Sequence, residues 1–226
     1  MERYRFNQHK TAFLASRILL KTCLAEYLSC ALSDIRFTLN AYGKPELPPE
    51  INPHGVHFNL SHSGDYSVVA LHTQPVGIDT EKLDRTTDML KIAQHNFHPL
   101  EIAQLENQPA NAPLGLYLWM LKEAYIKYIG KGLAHPLREF YFLLDQHRLH
   151  CGSEDKSASP GAALLKIAGG CVAAVCHAPA QLEWHAYSLQ DQGVVRVAEL
   201  EWLAQTAPVD KSTHIPLKAI NAGPLL

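Results

Sequence analysis

With 226 residues, 47% of them apolar and 19% charged, the chain has the make-up of a globular protein: one large domain, or two small lobes over a shared core. Twenty Lys and Arg against 22 Asp and Glu leave a formal charge of −2, which excludes nucleic-acid binding by bulk positive charge, and the same figures exclude disorder and coiled coil. No apolar run reaches the roughly 18 residues of a membrane helix, and Arg17 and Lys21 interrupt the N-terminus before an export-type apolar core can form. Five cysteines without a CxxC spacing suggest neither a disulfide framework nor a zinc ribbon, so the expected setting is the cytoplasm with reduced thiols.

Residues 12–32 repeat apolar side chains at helical spacing, from Phe13, Leu14 and Ile18 to Tyr27, Leu28 and Leu32. A strand-like IRFTL follows, then a loop dense in Pro, Gly and Asn over 41–55. VHFNL, a turn at SHSG and YSVVALH together predict a hairpin. A short apolar strand, VGID, runs into Asp79-Thr80-Glu81. Two helical pieces broken before Pro99 cover 88–107, and the strongest helix covers 114–129, with Leu114, Leu118, Leu121, Tyr125 and Ile129 as its stripe. Strands are predicted around 139–144, 163–167, 171–177 and 183–188, and from Ala207 a loose tail. The order of elements points to an α/β (α+β) protein of two similar halves: residues 1–75, residues 76–206, and the tail 207–226.

Asp79 and Glu81, two apart on a strand, leave on the same face. Two carboxylates held close repel unless a cation sits between them, and Mg²⁺ fits because it takes one or two carboxylates and adds water and phosphate oxygens. An acidic strand end facing solvent is the competing explanation. On the 114–129 helix, Glu123 and Lys127 fall about 140° and about 180° from Leu118 at 100° per residue. They are either an exposed i,i+4 pair or, since Leu116 and Trp119 share their face, the polar wall of a cleft. Lys44, in a Pro-stiffened loop, and Ser61 and His62, at a tight turn, can serve phosphate oxygens. Adjacent Ser-His without a GxSxG elbow does not make a serine hydrolase, and His54, His57 and His62 lack the HExxH spacing of a zinc site.

In chain order YGKP, HFNLSHSGDYSVVAL, VGIDTEKLD and WMLKEAYIKYIGKGL resemble the Sfp-type 4′-phosphopantetheinyl transferases, from about Lys10 to Val175. The resemblance implies two α/β halves about a pseudo-twofold with coenzyme A in the groove between them. It implies a holo-[acyl-carrier-protein] synthase type of reaction: transfer of the phosphopantetheine arm to a serine of an apo acyl or peptidyl carrier protein, with release of 3′,5′-ADP. Asp79, Glu81 and Glu123 match the family's Mg²⁺ carboxylates, Glu123 doubling as base for the serine proton. Lys127 matches the lysine on the coenzyme A phosphates. Lys44, Ser61 and His62 match residues at the 3′-phosphate end, and Lys10 and Arg17 fall where the family carries basic residues on its first helix.

The expected partners are the carrier and coenzyme A, with neither nucleic acid nor membrane, and the protein is expected to work as a monomer. Carriers of this class are acidic, so Lys82, Arg85 and Lys91 with Met89, Leu90 and Phe97 form a candidate docking face. Family members usually begin with a strand and a helix ahead of the segment matching Lys10, so the expectation is either a start placed too late in this sequence or a lost first strand. A non-catalytic coenzyme A or carrier binder of the same fold, and an unrelated Mg²⁺-dependent nuclease or phosphohydrolase, are the competing functions.

Overall fold

The computed structural model describes residues 2–83, 88–109, 112–153, 160–178, 183–190, 193–197, 201–206 and 214–216. Helix α1 (Glu2–Leu28) starts well before the expected helix and stops where Ser29 turns to φ +53°. Leu19, Leu20, Cys23 and Leu24 are buried, whereas Phe13, Leu14 and Ile18 are at least half exposed, so the apolar stripe is wider than the face that packs. Leu32, counted with that stripe, lies beyond the helix in a 3-10 turn and is exposed.

Strands β1 (Thr38–Leu39) and β2 (Pro45–Glu46) pair across the YGKP loop. Strands β3 (His57–Ser63) and β4 (Tyr66–His72) form the expected hairpin, but its turn is at Gly64, φ +57°, and Ser61-His62-Ser63 belong to the strand. Phe58, Leu60, Val69 and Leu71 face α1; Val68 and Ala70 face the other way, into a second core with Val76, Ile78, Leu165, Ala173 and Val175. The hairpin is therefore buried on both faces, and alternation along β3 decides which side chains reach the second half of the molecule.

That half begins with β5 (Val76–Lys82), followed by α2 (Met89–Asn96), α3 (Pro99–Glu106) and α4 (Leu114–Ile129). Strands β6 (Phe140–Asp145), β7 (Arg148–Ser153), β8 (Gly161–Lys166), β9 (Cys171–His177), β10 (Glu183–Gln190), β11 (Gly193–Val197), β12 (Glu201–Gln205) and β13 (His214–Pro216) complete the described elements. Six of them form one sheet in the order β5-β9-β8-β12-β7-β6, antiparallel except between β12 and β7. Strands β11, β10 and β13 make a second sheet, which includes three residues of the expected tail. The protein is mixed α+β.

Helix α4 lies across this sheet with ten of its sixteen residues buried and ends on Gly130, φ +70°. It presses on β5 so closely that a Cβ at Gly77 would collide with the backbone at Ala124 and Tyr128. Lys122 on α4 and Glu101 on α3 are both fully buried, 2.8 Å apart. Lys122 also donates to the carbonyls of Leu137 and Phe140, while the Glu101 carboxylate accepts from the backbone of His98 and Phe142. Every polar atom of this pair has a partner, which is the condition for burying two charges. Phe97, expected on an exposed docking face, is instead wholly buried and stacked on Trp119, because α2 turns it inward against α4. Lys82, Leu90 and Lys91 are exposed; Arg85 lies outside the described residues.

Candidate active site

Strand β5 is the edge of the six-stranded sheet, so every second residue turns its N–H and C=O away from β9. Side chains satisfy those groups. Asn59 Oδ1 accepts from the Ile78 N–H at 2.8 Å, and Ser61 Oγ accepts from the Thr80 N–H at 3.3 Å. Lys44 Nζ donates to the Val76 carbonyl at 3.3 Å, and Lys127 Nζ to the Ile78 carbonyl at 3.2 Å. Buried backbone groups left without partners are costly, and here polar side chains from the hairpin, the YGKP loop and α4 close the edge. The edge strand is also the strand that carries the acidic pair.

Asp79 and Glu81 leave β5 on the same side, as their spacing predicts, and meet Ser61 and Ser63, which alternate along β3 in the same way. Ser61 Oγ donates to Asp79 Oδ1 at 2.8 Å and Ser63 Oγ to Glu81 Oε2 at 2.7 Å. Lys127 Nζ reaches the same Asp79 oxygen at 2.7 Å and Ser61 Oγ at 3.3 Å. Asp79 is 7% exposed, and its charge is balanced by this lysine. Four residues before Lys127, Glu123 has its carboxyl pushed up, first by burial and then by the negative charges of Asp79 and Glu81, with Lys127 pulling back. The charges of Asp79, Glu81 and Lys127 thus all act on Glu123, and the Lys127 ammonium is bonded to Asp79.

Of the residues picked from sequence, the structure gathers Ser61, Asp79, Glu81, Glu123 and Lys127. His62 is exposed and, by alternation, lies on the α1 side of β3. Lys10 is exposed on α1, and the Arg17 guanidinium stacks over Phe13 at 5.1 Å from the ring centroid. Lys44 joins the site through backbone, donating to the Lys127 carbonyl at 2.6 Å as well as to Val76, and burial lowers its ammonium pKa to about 8. With Asn40, His57, Tyr128 and Gly130 it lines a cavity of about 240 Å³. Sequence reasoning missed Ser63 and Asn59. Their signal was present: Asn59, Ser61 and Ser63 share one face of β3, at the same two-residue spacing as Asp79 and Glu81.

No described helix is long and apolar enough to cross a membrane. Residues 75–176 match the family model of the 4′-phosphopantetheinyl transferase superfamily, and residues 1–74 match that of the 4′-phosphopantetheinyl transferase N-terminal region. The chain is 34% identical over 145 residues to the 4′-phosphopantetheinyl transferase Sfp of Bacillus subtilis, covering 63% of this chain and 62% of that protein. It is 36% identical over 130 residues to the 4′-phosphopantetheinyl transferase gsp of Aneurinibacillus migulanus, covering 57% and 52%, and 34% identical over 135 residues to HetI of Nostoc sp., covering 58% and 57%. The chain thus spans between about half and three fifths of the length of these curated relatives. The superfamily model begins one residue ahead of β5 and ends within β9, so it takes in the acidic strand and the helix that faces it; with both models placed end to end over this architecture, the chain belongs to the 4′-phosphopantetheinyl transferase superfamily.

Proposed function

We propose that the protein transfers the 4′-phosphopantetheine arm of coenzyme A to a serine hydroxyl of an apo acyl or peptidyl carrier protein, converting it to the holo form and releasing 3′,5′-ADP. The observation that carries this reading is that Asp79, bonded to Lys127, and Glu81 on the same face of β5 both act on Glu123 of α4, in a chain of this superfamily. The serine oxygen bonds to the phosphorus on the pantetheine side of the pyrophosphate. The P–O bond to the nucleotide's phosphate breaks, the leaving oxygen departs with 3′,5′-ADP, and the serine proton passes to a base.

The chain's work in such a transfer is positioning and charge neutralisation. Glu123, whose carboxyl is pushed up by burial and by the neighbouring Asp79 charge, takes the serine proton directly or through a water. Lys127 offers its ammonium to the pyrophosphate in exchange for Asp79. His62, Lys10 and Arg17 supply donors and positive charge for the 3′-phosphate end, and Ser61 can turn its hydroxyl from Asp79 to a phosphate oxygen. Asp79, Glu81 and Glu123 would hold Mg²⁺, which supplies charge neutralisation on the pyrophosphate. Among the described residues no three His, Cys, Asp or Glu side chains form a ready cage. Mg²⁺ needs none, and the hard oxygens and the negative field at Glu123 suit it. The carrier docks beside the acidic strand, on the face that exposes Lys82, Leu90 and Lys91. Five free cysteines suit a reducing cytoplasm.

Mass spectrometry of apo carriers incubated with the protein, coenzyme A and Mg²⁺ tests the proposal. One phosphopantetheine arm per carrier serine is expected, abolished by EDTA and restored by Mg²⁺. Coenzyme A binding with no arm transferred to carriers of fatty-acid, polyketide and peptide synthesis would leave a non-catalytic binder and overturn it.

A further inference from the structure

Asn40 lies outside the acidic site yet holds three groups at once. Its Oδ1 accepts from the backbone N–H of Tyr42 and of Lys44, each at 2.9 Å, and its Nδ2 donates to the Gly130 carbonyl at 3.0 Å. The Asn40 N–H donates to the Lys44 carbonyl at 2.9 Å and the Gly43 N–H to the Asn40 carbonyl at 3.0 Å, so the loop is closed on itself. It lies directly against the end of α4: a Cβ on Gly130 would stand 3.2 Å from Asn40 Nδ2 and 3.3 Å from Lys44 Cδ.

From this loop Lys44 sends its ammonium to the Lys127 carbonyl at 2.6 Å and the Val76 carbonyl at 3.3 Å. The last carbonyls of a helix lack helical partners and carry the negative end of its dipole, so a buried lysine there is favoured. Lys127 is thereby held twice, by Lys44 at its backbone and by Asp79 at its side chain.

We propose that Asn40 is a positioning residue of the transfer reaction, seating the Lys44 loop on Gly130 and so fixing the last turn of α4, with Lys127, against the first residue of β5. The inference rests on the transferase reading. It gives Lys44 a role other than contact with the 3′-phosphate: its ammonium is committed to two carbonyls that join the helix to the acidic strand.

The test compares Asn40→Asp and Asn40→Ala with the wild type. Asn40→Asp keeps the acceptor for Tyr42 and Lys44 and sets an oxygen against the Gly130 carbonyl in place of the donor. It is expected to melt within a few degrees of wild type and to lose about tenfold or more in kcat, since small misplacements of catalytic groups are costly. The loss should be equal with coenzyme A and 3′-dephospho-coenzyme A, and the carrier KM unchanged. A kcat within twofold of wild type, or a loss confined to coenzyme A, overturns the proposal. Hydrogen exchange needs no reaction: amides over 126–132 should exchange at least tenfold faster in both variants, with those over 10–28 unchanged. Unaltered exchange at 126–132 refutes the clamp, whereas a wild type that modifies no carrier refutes the transferase reading alone.

Discussion

Ser63 Oγ donates to Glu81 Oε2 at 2.7 Å, one step along β3 from the 2.8 Å bond between Ser61 Oγ and Asp79 Oδ1. Two hydroxyls at strand spacing hold two carboxylates at the same spacing, so β3 sets the direction of both acids. Ser63→Ala is expected to leave the melting temperature within about 2 °C of wild type, because the bond is only partly buried. It should raise the Mg²⁺ concentration for half-maximal transfer several-fold, as expected for losing one partly buried hydrogen bond, about 0.5–1.5 kcal/mol. An unchanged Mg²⁺ dependence would mean that Glu81 needs no support from β3.

Asp79→Ala and Glu123→Gln should each reduce arm transfer at least about a hundredfold while the protein stays folded. The two acids share one site, where Lys127 bonds Asp79 and acts on Glu123. Intact-mass analysis of the carrier reads the loss, and circular dichroism reads the fold. A folded variant that still transfers at near wild-type rate in excess Mg²⁺ would remove that carboxylate from the site.

Gly77→Ala should cost both stability and activity. Its Cβ would meet the Ala124 carbonyl and the Tyr128 N–H, with the Tyr128 Cα at 2.9 Å, and these are backbone atoms that cannot swing aside. Separating α4 from β5 to make room moves Glu123 and Lys127 away from Asp79. The measurement is the thermal midpoint together with kcat. A variant with wild-type values for both would mean that the helix–strand contact tolerates a methyl group.

Lys122→Met should destabilise the fold by about 3–5 kcal/mol, a drop of about 10 °C, by leaving the Glu101 charge buried without its cation. Replacing both residues by apolar ones should not restore wild-type stability. The backbone N–H groups of His98 and Phe142 and the carbonyls of Leu137 and Phe140 would then lose their partners too. Urea unfolding of the single and double variants decides; a double variant as stable as wild type would refute this account.

His177 is buried at the end of β9, and burial, with the His72 charge adding to it, lowers its pKa to about 4 even though its ring bonds to the Ala178 carbonyl. The folded protein therefore keeps this ring neutral while the unfolded chain protonates it near 6.5. The stabilisation is complete above pH 6.5 and falls away as pH drops towards 4, by up to about 3 kcal/mol. His177→Gln should flatten the stability curve across that window. An unchanged slope between pH 6.5 and 4 would place the acid sensitivity elsewhere.

Helix α4 was legible over residues 114–129 because its period, its length and the glycine that ends it are all local. The same holds for the acidic pair, since a two-residue spacing on a strand puts side chains on one face wherever the strand lies. The SHSG segment reads as a turn from composition, yet Ser61 and Ser63 stay in the strand because acids 18 residues away take their hydroxyls. Strands β7, β11 and β12 escaped notice for a related reason. Arg148–Ser153 and Glu201–Gln205 are short and weakly alternating, and the sheet neighbours they pair with decide their state. Lys122 looks like any polar residue of a helix until α3 brings Glu101 over it, and Asn40 like any loop residue until Gly130, 90 positions away, arrives at its amide. Chain order by itself determined the elements with a strong period and the residue types of the site. Which of those residues meet, and which charges are balanced, was decided by the tertiary structure, because hydrogen bonds and ion pairs depend on distances that only packing sets.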